Sequence, residues 1–319
     1  MDIEYLLALQ GLRESLGSGV ESFMNTVSSI GAGVVLMALC LVIYWCADKY
    51  TGFTAMLSFC LGNFVNQFVK NIACVYRPWI LDQRVVPSQG ALSGATGYSF
   101  PSGHTVAIAT SLGTLAWLGR RKHKILAALC VVIILVVAFS RNYLGVHTPQ
   151  DVLVALLESV VVVAISCKVS EWLRDHREHD LAILIGSLVM GVVVFVIINV
   201  KPFPMDYVDG VLLVDPADMV KDCYEGVGLF CGFVIGWFCE RRWVNFDTRA
   251  LTWPKRIARL AIGIVYVAII MVGLDPVLKA TVGLAWAKLI SRGLLLFGCL
   301  FLVPLVFKRV DSALERRAH

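Results

Sequence analysis

Apolar runs too long and too many for one soluble core decide what this chain can become. Nine of them, at about residues 28–47, 52–72, 103–119, 125–141, 150–169, 181–200, 225–240, 257–275 and 288–307, approach or reach the length a helix needs to cross hydrocarbon. That length is roughly 17–25 residues. Of the 319 residues, 58% are hydrophobic and only 16% charged, and the mean hydropathy is +0.76. A typical soluble domain is about 25% charged. A soluble fold is excluded. The expected fold class is all-α, a polytopic transmembrane bundle of about nine spans joined by short loops.

Ahead of the first run, Ile3, Leu6, Leu9, Leu12, Leu16, Val20, Phe23 and Val27 recur every three or four residues, with Gln10, Arg13, Glu14 and Glu21 between them. This spacing predicts an amphipathic helix over 1–27, lying at the membrane interface or packed on its neighbours. Asp2 and Glu4 argue against a cleaved signal peptide, which would start basic. The expected division is this helix, a five-helix core over 28–170 and a four-span extension over 181–319.

The net charge of +5 does not point to nucleic acid, because the basic residues are spread over several short loops. One set of loops carries Lys49, the Arg120–Lys124 cluster, Lys168, Arg174, Arg177, six basic residues from Arg241 to Arg259, and Lys308, Arg309, Arg316 and Arg317. Basic loops stay in the cytoplasm. The C-terminus is therefore expected inside and the N-terminus outside. The ten cysteines show no metal-binding spacing and mostly sit inside apolar runs as small hydrophobes. Cys74 and Cys223 fall on one side and could pair.

Three polar stretches collect on the non-cytoplasmic side, each at the end of a predicted span. In KNIACVYRP, Lys70 and Arg77 would share one face of a continuous helix, about 10 Å apart along the axis, with Pro78 ending it. In GYSFPSGHT, Pro101 suits a first helical turn, Gly103 admits a ligand close to the backbone, and Ser102 adds a hydroxyl. Free N–H groups there favour an anion, which His104 would face. In SRNYLGVHTPQD, Arg141 offers a planar fork for phosphate oxygens, and His147 is a candidate nucleophile or base. Asp151 could fix the tautomer of His147. Thr148-Pro149-Gln150-Asp151 also reads as a helix start. Singly, each stretch has a bland account: snorkelling cations, a plain helix start, a cap. Together they supply three cations, a helix N-terminus, two imidazoles and a carboxylate, a set that describes a pocket for a phosphoryl group.

Lys70, Arg77 and Pro78, then Pro101 to His104, then Ser140, Arg141, His147 and Asp151 resemble the three-part signature of the type-2 phosphatidic acid phosphatase superfamily. The resemblance implies a helical membrane core and a phosphatase that needs no metal and no cofactor. His147 would form a phosphohistidine, oriented by Asp151, and His104 would act as general acid. Lys70, Arg77, Ser102, Gly103 and Arg141 would hold the phosphate. The expected partners are the bilayer and a lipid phosphate or diphosphate, of polyprenyl diphosphate or phosphatidic acid type, met at the outer face of a bacterial plasma membrane. Sphingoid phosphates and soluble sugar phosphates are alternatives, since the layout of spans is similar to that of the glucose-6-phosphatases. The rival class is a transporter or lipid-binding protein that retains the pocket; it would need neither histidine. Trp79 to Ser99 should overhang the pocket, with Asp82 and Arg84 as headgroup contacts. Val200 to Asp222 is either an access-shaping segment or an ordinary exposed loop. No catalytic-looking cluster is evident beyond it.

Overall fold

The computed structural model describes residues 2–249, 251–307 and 309–310. The expected charges at Lys308, Arg316 and Arg317, and the terminus itself, lie outside them. The protein is helical almost throughout. The long α1 (Asp2–Ile30) is kinked at Gly17 and is followed by α2 (Val34–Cys46) and α3 (Lys49–Ala73). Two single-turn helices, α4 (Pro78–Leu81) and α5 (Gln89–Leu92), lead to α6 (Gly103–Gly119), α7 (Lys124–Tyr143) and α8 (Pro149–Asp175). Beyond them come α9 (Asp180–Val200), a two-stranded hairpin β1–β2 (Tyr207–Val208 and Val211–Leu212) and α10 (Pro216–Cys239). The chain ends with α11 (Trp253–Ala268), a π-helical turn at Ile269–Leu274, α12 (Asp275–Val282) and α13 (Leu284–Leu300).

Among the described residues, six segments are long and apolar enough to cross a membrane: 124–143, 149–175, 177–200, 216–244, 253–282 and 284–307. The pair α1 and α2, bent by 46° at its break, makes a seventh if counted as one broken span. The expectation of nine is therefore not met on length and apolarity. At 13 and 17 residues, α2 and α6 are short, and α3 carries Asn63, Asn66, Gln67 and Lys70 in its second half.

Local chemistry sets the helix starts. Asp48 caps α3 through the Thr51 N–H at 2.7 Å, and Asp215 caps α10 through the Ala217 N–H at 2.8 Å, with Pro216 next. Inside the bundle, the Phe64 and Phe230 rings stack at 4.7 Å, and the Trp45 indole donates to the Cys299 carbonyl at 2.9 Å. These contacts join the first and last thirds of the chain. Leu135, Val160, Val189 and Val193 point outward instead, an arrangement that hydrocarbon, not water, accommodates. The end of α3 and the starts of α6, α8 and α10 meet at one end of the bundle.

Candidate active site

A cavity of about 470 Å³ opens at that end, lined by Lys70, Arg77, Gly103, His104 and His147. Both imidazoles thus face one space, as the three stretches require. The way they arrive differs from the expectation in two places. Lys70 and Arg77 do not share a continuous helix: α3 stops at Ala73, Cys74 turns left-handed (φ 49°), and the chain runs on to Arg77, which precedes α4. Pro78 opens that short helix rather than closing the long one. Likewise, Pro101 lies before the cap and not in the first turn, because Ser102 is the N-cap of α6.

The break frees Arg77 from the helix so that its guanidinium can reach three carbonyls. Its Nε donates to Gly97 at 3.0 Å, Nη2 to Thr96 at 2.9 Å and Nη1 to Val146 at 3.0 Å. Nη1 also lies 2.9 Å from His147 Nε2. A guanidinium has no acceptor, so Nε2 must be the unprotonated nitrogen, and the proton sits on Nδ1. Nδ1 faces Asp151 Oδ2 at 3.3 Å. Burial pushes the His147 imidazole well below its ordinary pKa, and the charges of Arg77, Arg141 and Lys70 add to this, so the neutral ring prevails.

Asp151 is placed at both positions suggested for it, at the helix start and beside the ring of His147. Thr148 accepts from the Asp151 N–H at 3.3 Å while Asp151 Oδ2 accepts from the Thr148 N–H at 2.8 Å, a reciprocal cap on α8. The same Oδ2 takes the His147 contact and a 2.5 Å bond from the Ser99 hydroxyl. Ser99 is itself 3.3 Å from His147 Nδ1. It was not singled out from the sequence, although it lies within the GYSFPSGHT stretch; a neutral serine among serines and glycines gives no signal of its own.

Arg141 is 1% exposed. Its Nη1 donates to Ser28 Oγ of α1, whereas Nε and Nη2 have no partner among the described residues. Two buried guanidinium nitrogens without acceptors cost about 1–3 kcal/mol each, and an oxyanion would relieve both. Lys70, 6% exposed, donates to the carbonyls of Tyr98 at 3.1 Å and Ser99 at 3.5 Å, which leaves one of its three hydrogens for the cavity. Ser102 is fully buried; its N–H donates to the Asp151 carbonyl at 3.1 Å and its hydroxyl accepts from Thr105 at 3.0 Å. Ser102 therefore joins α6 to α8 rather than lining the cavity. His104 is pinned by two glycines. A Cβ on Gly94 would stand 3.1 Å from its ring, and one on Gly31 would stand 3.2 Å from its Cβ.

The stretch 79–99 does overhang the cavity, through Gly94 and Thr96. Asp82 and Arg84 do not line it; they pair with each other at 2.8 Å, and Arg84 also pairs with Glu4 at the surface. Cys74 and Cys223 are both free thiols. The 200–222 segment is more than an exposed loop. Asp206 accepts from the Tyr76 hydroxyl at 2.5 Å, and Met219 Sδ accepts from the Tyr98 N–H at 3.3 Å, which anchors the segment behind the site. The tail also holds what the sequence reading missed: Asp222, Glu225, Lys288 and Arg292 line the same cavity opposite the histidines.

Comparison with known proteins agrees with this geometry. The model of the PAP2 superfamily matches residues 51–175, and that of the PAP2 superfamily phosphatase transmembrane extension matches residues 224–316. Over 166 residues the chain is 25% identical to an undecaprenyl-diphosphatase of Sulfolobus acidocaldarius, covering 47% of this chain and 78% of that protein. Over 142 residues it is 29% identical to phosphatidylglycerophosphatase B of Bacillus subtilis, covering 41% of this chain and 65% of the relative. A 68-residue stretch, 19% of this chain, is 47% identical to phosphatidylglycerophosphatase B of Haemophilus influenzae and covers 28% of it. The chain thus spans less than two thirds of either phosphatidylglycerophosphatase. No solved structure matches. With both models falling on it in order, the one over the histidine site and the other over the opposite wall of the cavity, the chain belongs to the PAP2 superfamily.

Proposed function

We propose that this protein is a membrane phosphatase that hydrolyses a lipid phosphate or diphosphate through a phosphohistidine on His147. The carrying observation is that His104, His147, Lys70 and Arg77 face one cavity, with the Nε2 lone pair of His147 directed at a guanidinium. An arriving phosphoryl oxygen takes over that Arg77 bond, and the lone pair then points at phosphorus. As the N–P bond forms, the ester P–O bond breaks, and His104 protonates the departing oxygen. Water then attacks phosphorus, gives its proton to His104, and the N–P bond breaks to release phosphate. Arg141, Lys70 and the start of α6 at Gly103 hold the equatorial oxygens, with Ser102 fixing that helix start, and Asp151 keeps the proton on Nδ1.

The substrate class follows from the relatives, named for an undecaprenyl diphosphate and a phosphatidylglycerophosphate activity, and from the apolar flank of the cavity at Met37, Phe59 and Leu295. In this reading the site faces the extracytoplasmic side of a bacterial-type plasma membrane with the C-terminus inside. All nine apolar segments then count as crossings, α2, α3 and α6 relying on protein neighbours, and the amphipathic α1 lies along the interface. The division into 1–27, 28–170 and 181–319 belongs to the same reading. The test is phosphate release from a lipid phosphate panel by detergent-purified protein with EDTA present. Wild type should turn over and His147→Ala should lose at least about a thousandfold in rate; equal turnover by the variant would end the phosphohistidine proposal.

A further inference from the structure

Opposite the histidines the cavity wall is made of paired charges. Lys288 of α13 lies 2.9 Å from Asp222 and 2.7 Å from Glu225, both of α10. Arg292, one turn on, lies 3.3 Å from Glu225 and 3.3 Å from Asp275, which follows the π-helical turn. Asp275 also meets Lys279 at 2.6 Å and accepts from the Ser291 hydroxyl at 2.7 Å. Three carboxylates thus balance three cations.

Holding α10 to α13 does not require this network. The two helices already touch backbone to backbone, since a Cβ on Gly228 or Gly232 would collide with the carbonyls of Leu289 and Gly293. Nor is the network sealed between them: four of its members open into the space that holds the two imidazoles. Charges kept at such depth in apolar helices point to a ligand. The wall shares this one cavity with Lys70, Arg77 and the two histidines.

The two halves of the cavity differ in balance. Around the histidines, Lys70, Arg77 and Arg141 outnumber Asp151, as a phosphate dianion requires. The opposite wall is neutral. A second phosphate there would lie beside Asp222 and Glu225, and an ammonium group would lie beside Lys288 and Arg292; either would bring like charges together. A hydroxyl accepts from the cations and donates to the carboxylates, and it leaves the balance intact.

We propose that the α10–α13 wall selects the leaving alcohol, favouring a phosphomonoester whose alcohol carries a free neighbouring hydroxyl over a substrate with a second phosphate. This rests on the phosphatase reading above and narrows it.

The test compares two single-chain lipids on full-length protein: lysophosphatidic acid, which has the free hydroxyl, and farnesyl diphosphate, which has the second phosphate. Wild type should show the higher kcat/KM for lysophosphatidic acid. In Asp222→Asn and Glu225→Gln, each of which unbalances the wall toward positive charge, the ratio should move at least about tenfold toward the diphosphate. The ratio cancels any loss of folded protein. Should neither variant fold, inhibition of wild type decides: glycerol 3-phosphate should bind more tightly than inorganic diphosphate. A wild type that prefers the diphosphate, an unchanged ratio in folded variants, or tighter inhibition by inorganic diphosphate overturns the proposal. In each of those cases turnover itself persists and the phosphatase reading survives. No phosphate release from either lipid, or from phosphatidic acid, would remove both.

Discussion

Arg141 shows how far a single side chain can be read from sequence. Arginine beside an apolar helix is expensive, so its presence alone marks a function, but only the fold reveals Nε and Nη2 buried without acceptors. Arg141→Lys should lower kcat/KM by about 10²–10³ with little effect on KM for weakly held substrates, because a point charge cannot give two parallel bonds. Steady-state kinetics on the purified variant checks this. His147 carries the pH prediction. Burial and the neighbouring cations lower its pKa, and the proposed nucleophile must be neutral, so the acidic limb of kcat/KM should lie below the ordinary 6.5, while the proposed acid, His104, sets the fall at higher pH. Replacing Arg77 with Met should move that acidic limb upward, whatever it does to the height of the profile. Ser99 was illegible because its role depends on two partners, His147 and Asp151, about fifty residues away. Ser99→Ala should act through positioning, lowering kcat more than it raises KM.

Helix ends were the most readable elements and also the ones most often misjudged. The Thr148–Asp151 box gave the start of α8 in full, since a cap is a local pattern of hydroxyl, proline and acid. Thr148→Ala should destabilise the fold by about 1 kcal/mol, seen as a lower Tm, while Asp151→Asn should in addition depress turnover. By contrast, nothing local announced that α3 would end at Ala73 and release Arg77. The left-handed Cys74 is set by what Arg77 gains from the Thr96, Gly97 and Val146 carbonyls, contacts made across the fold. The Gly31 break between α1 and α2 was placed inside a predicted span for a similar reason. Its small residue matters because of His104, more than seventy positions further on. Gly31→Ala should press on Val137 and on the Cβ and carbonyl of His104, shift that residue and lower turnover while leaving the helices in place, measurable as unchanged far-ultraviolet circular dichroism.

At the scale of the whole molecule, apolar length and composition were enough to give a helical membrane protein, and three short motifs were enough to give the histidine half of the cavity. The other half escaped notice because its acids and bases are spread from Asp222 to Arg292 without a period or a compact motif; they become a wall only when α10 and α13 pack through their glycines. The unfilled Nε and Nη2 donors of the buried Arg141 also predict linkage. Phosphate or vanadate at a hundredfold its Kd should stabilise the folded protein by about 2.7 kcal/mol, read as a rise in Tm that Arg141→Met abolishes.

The two walls of the cavity come from different halves of the polypeptide, His104 and His147 from the first and Lys288 and Arg292 from the second. Ribosomes deliver them in that order. While the nascent protein is still being threaded into the bilayer, its histidines therefore stand beside a half-built chamber, and the discrimination proposed for its far wall would begin only once α13 has docked on α10.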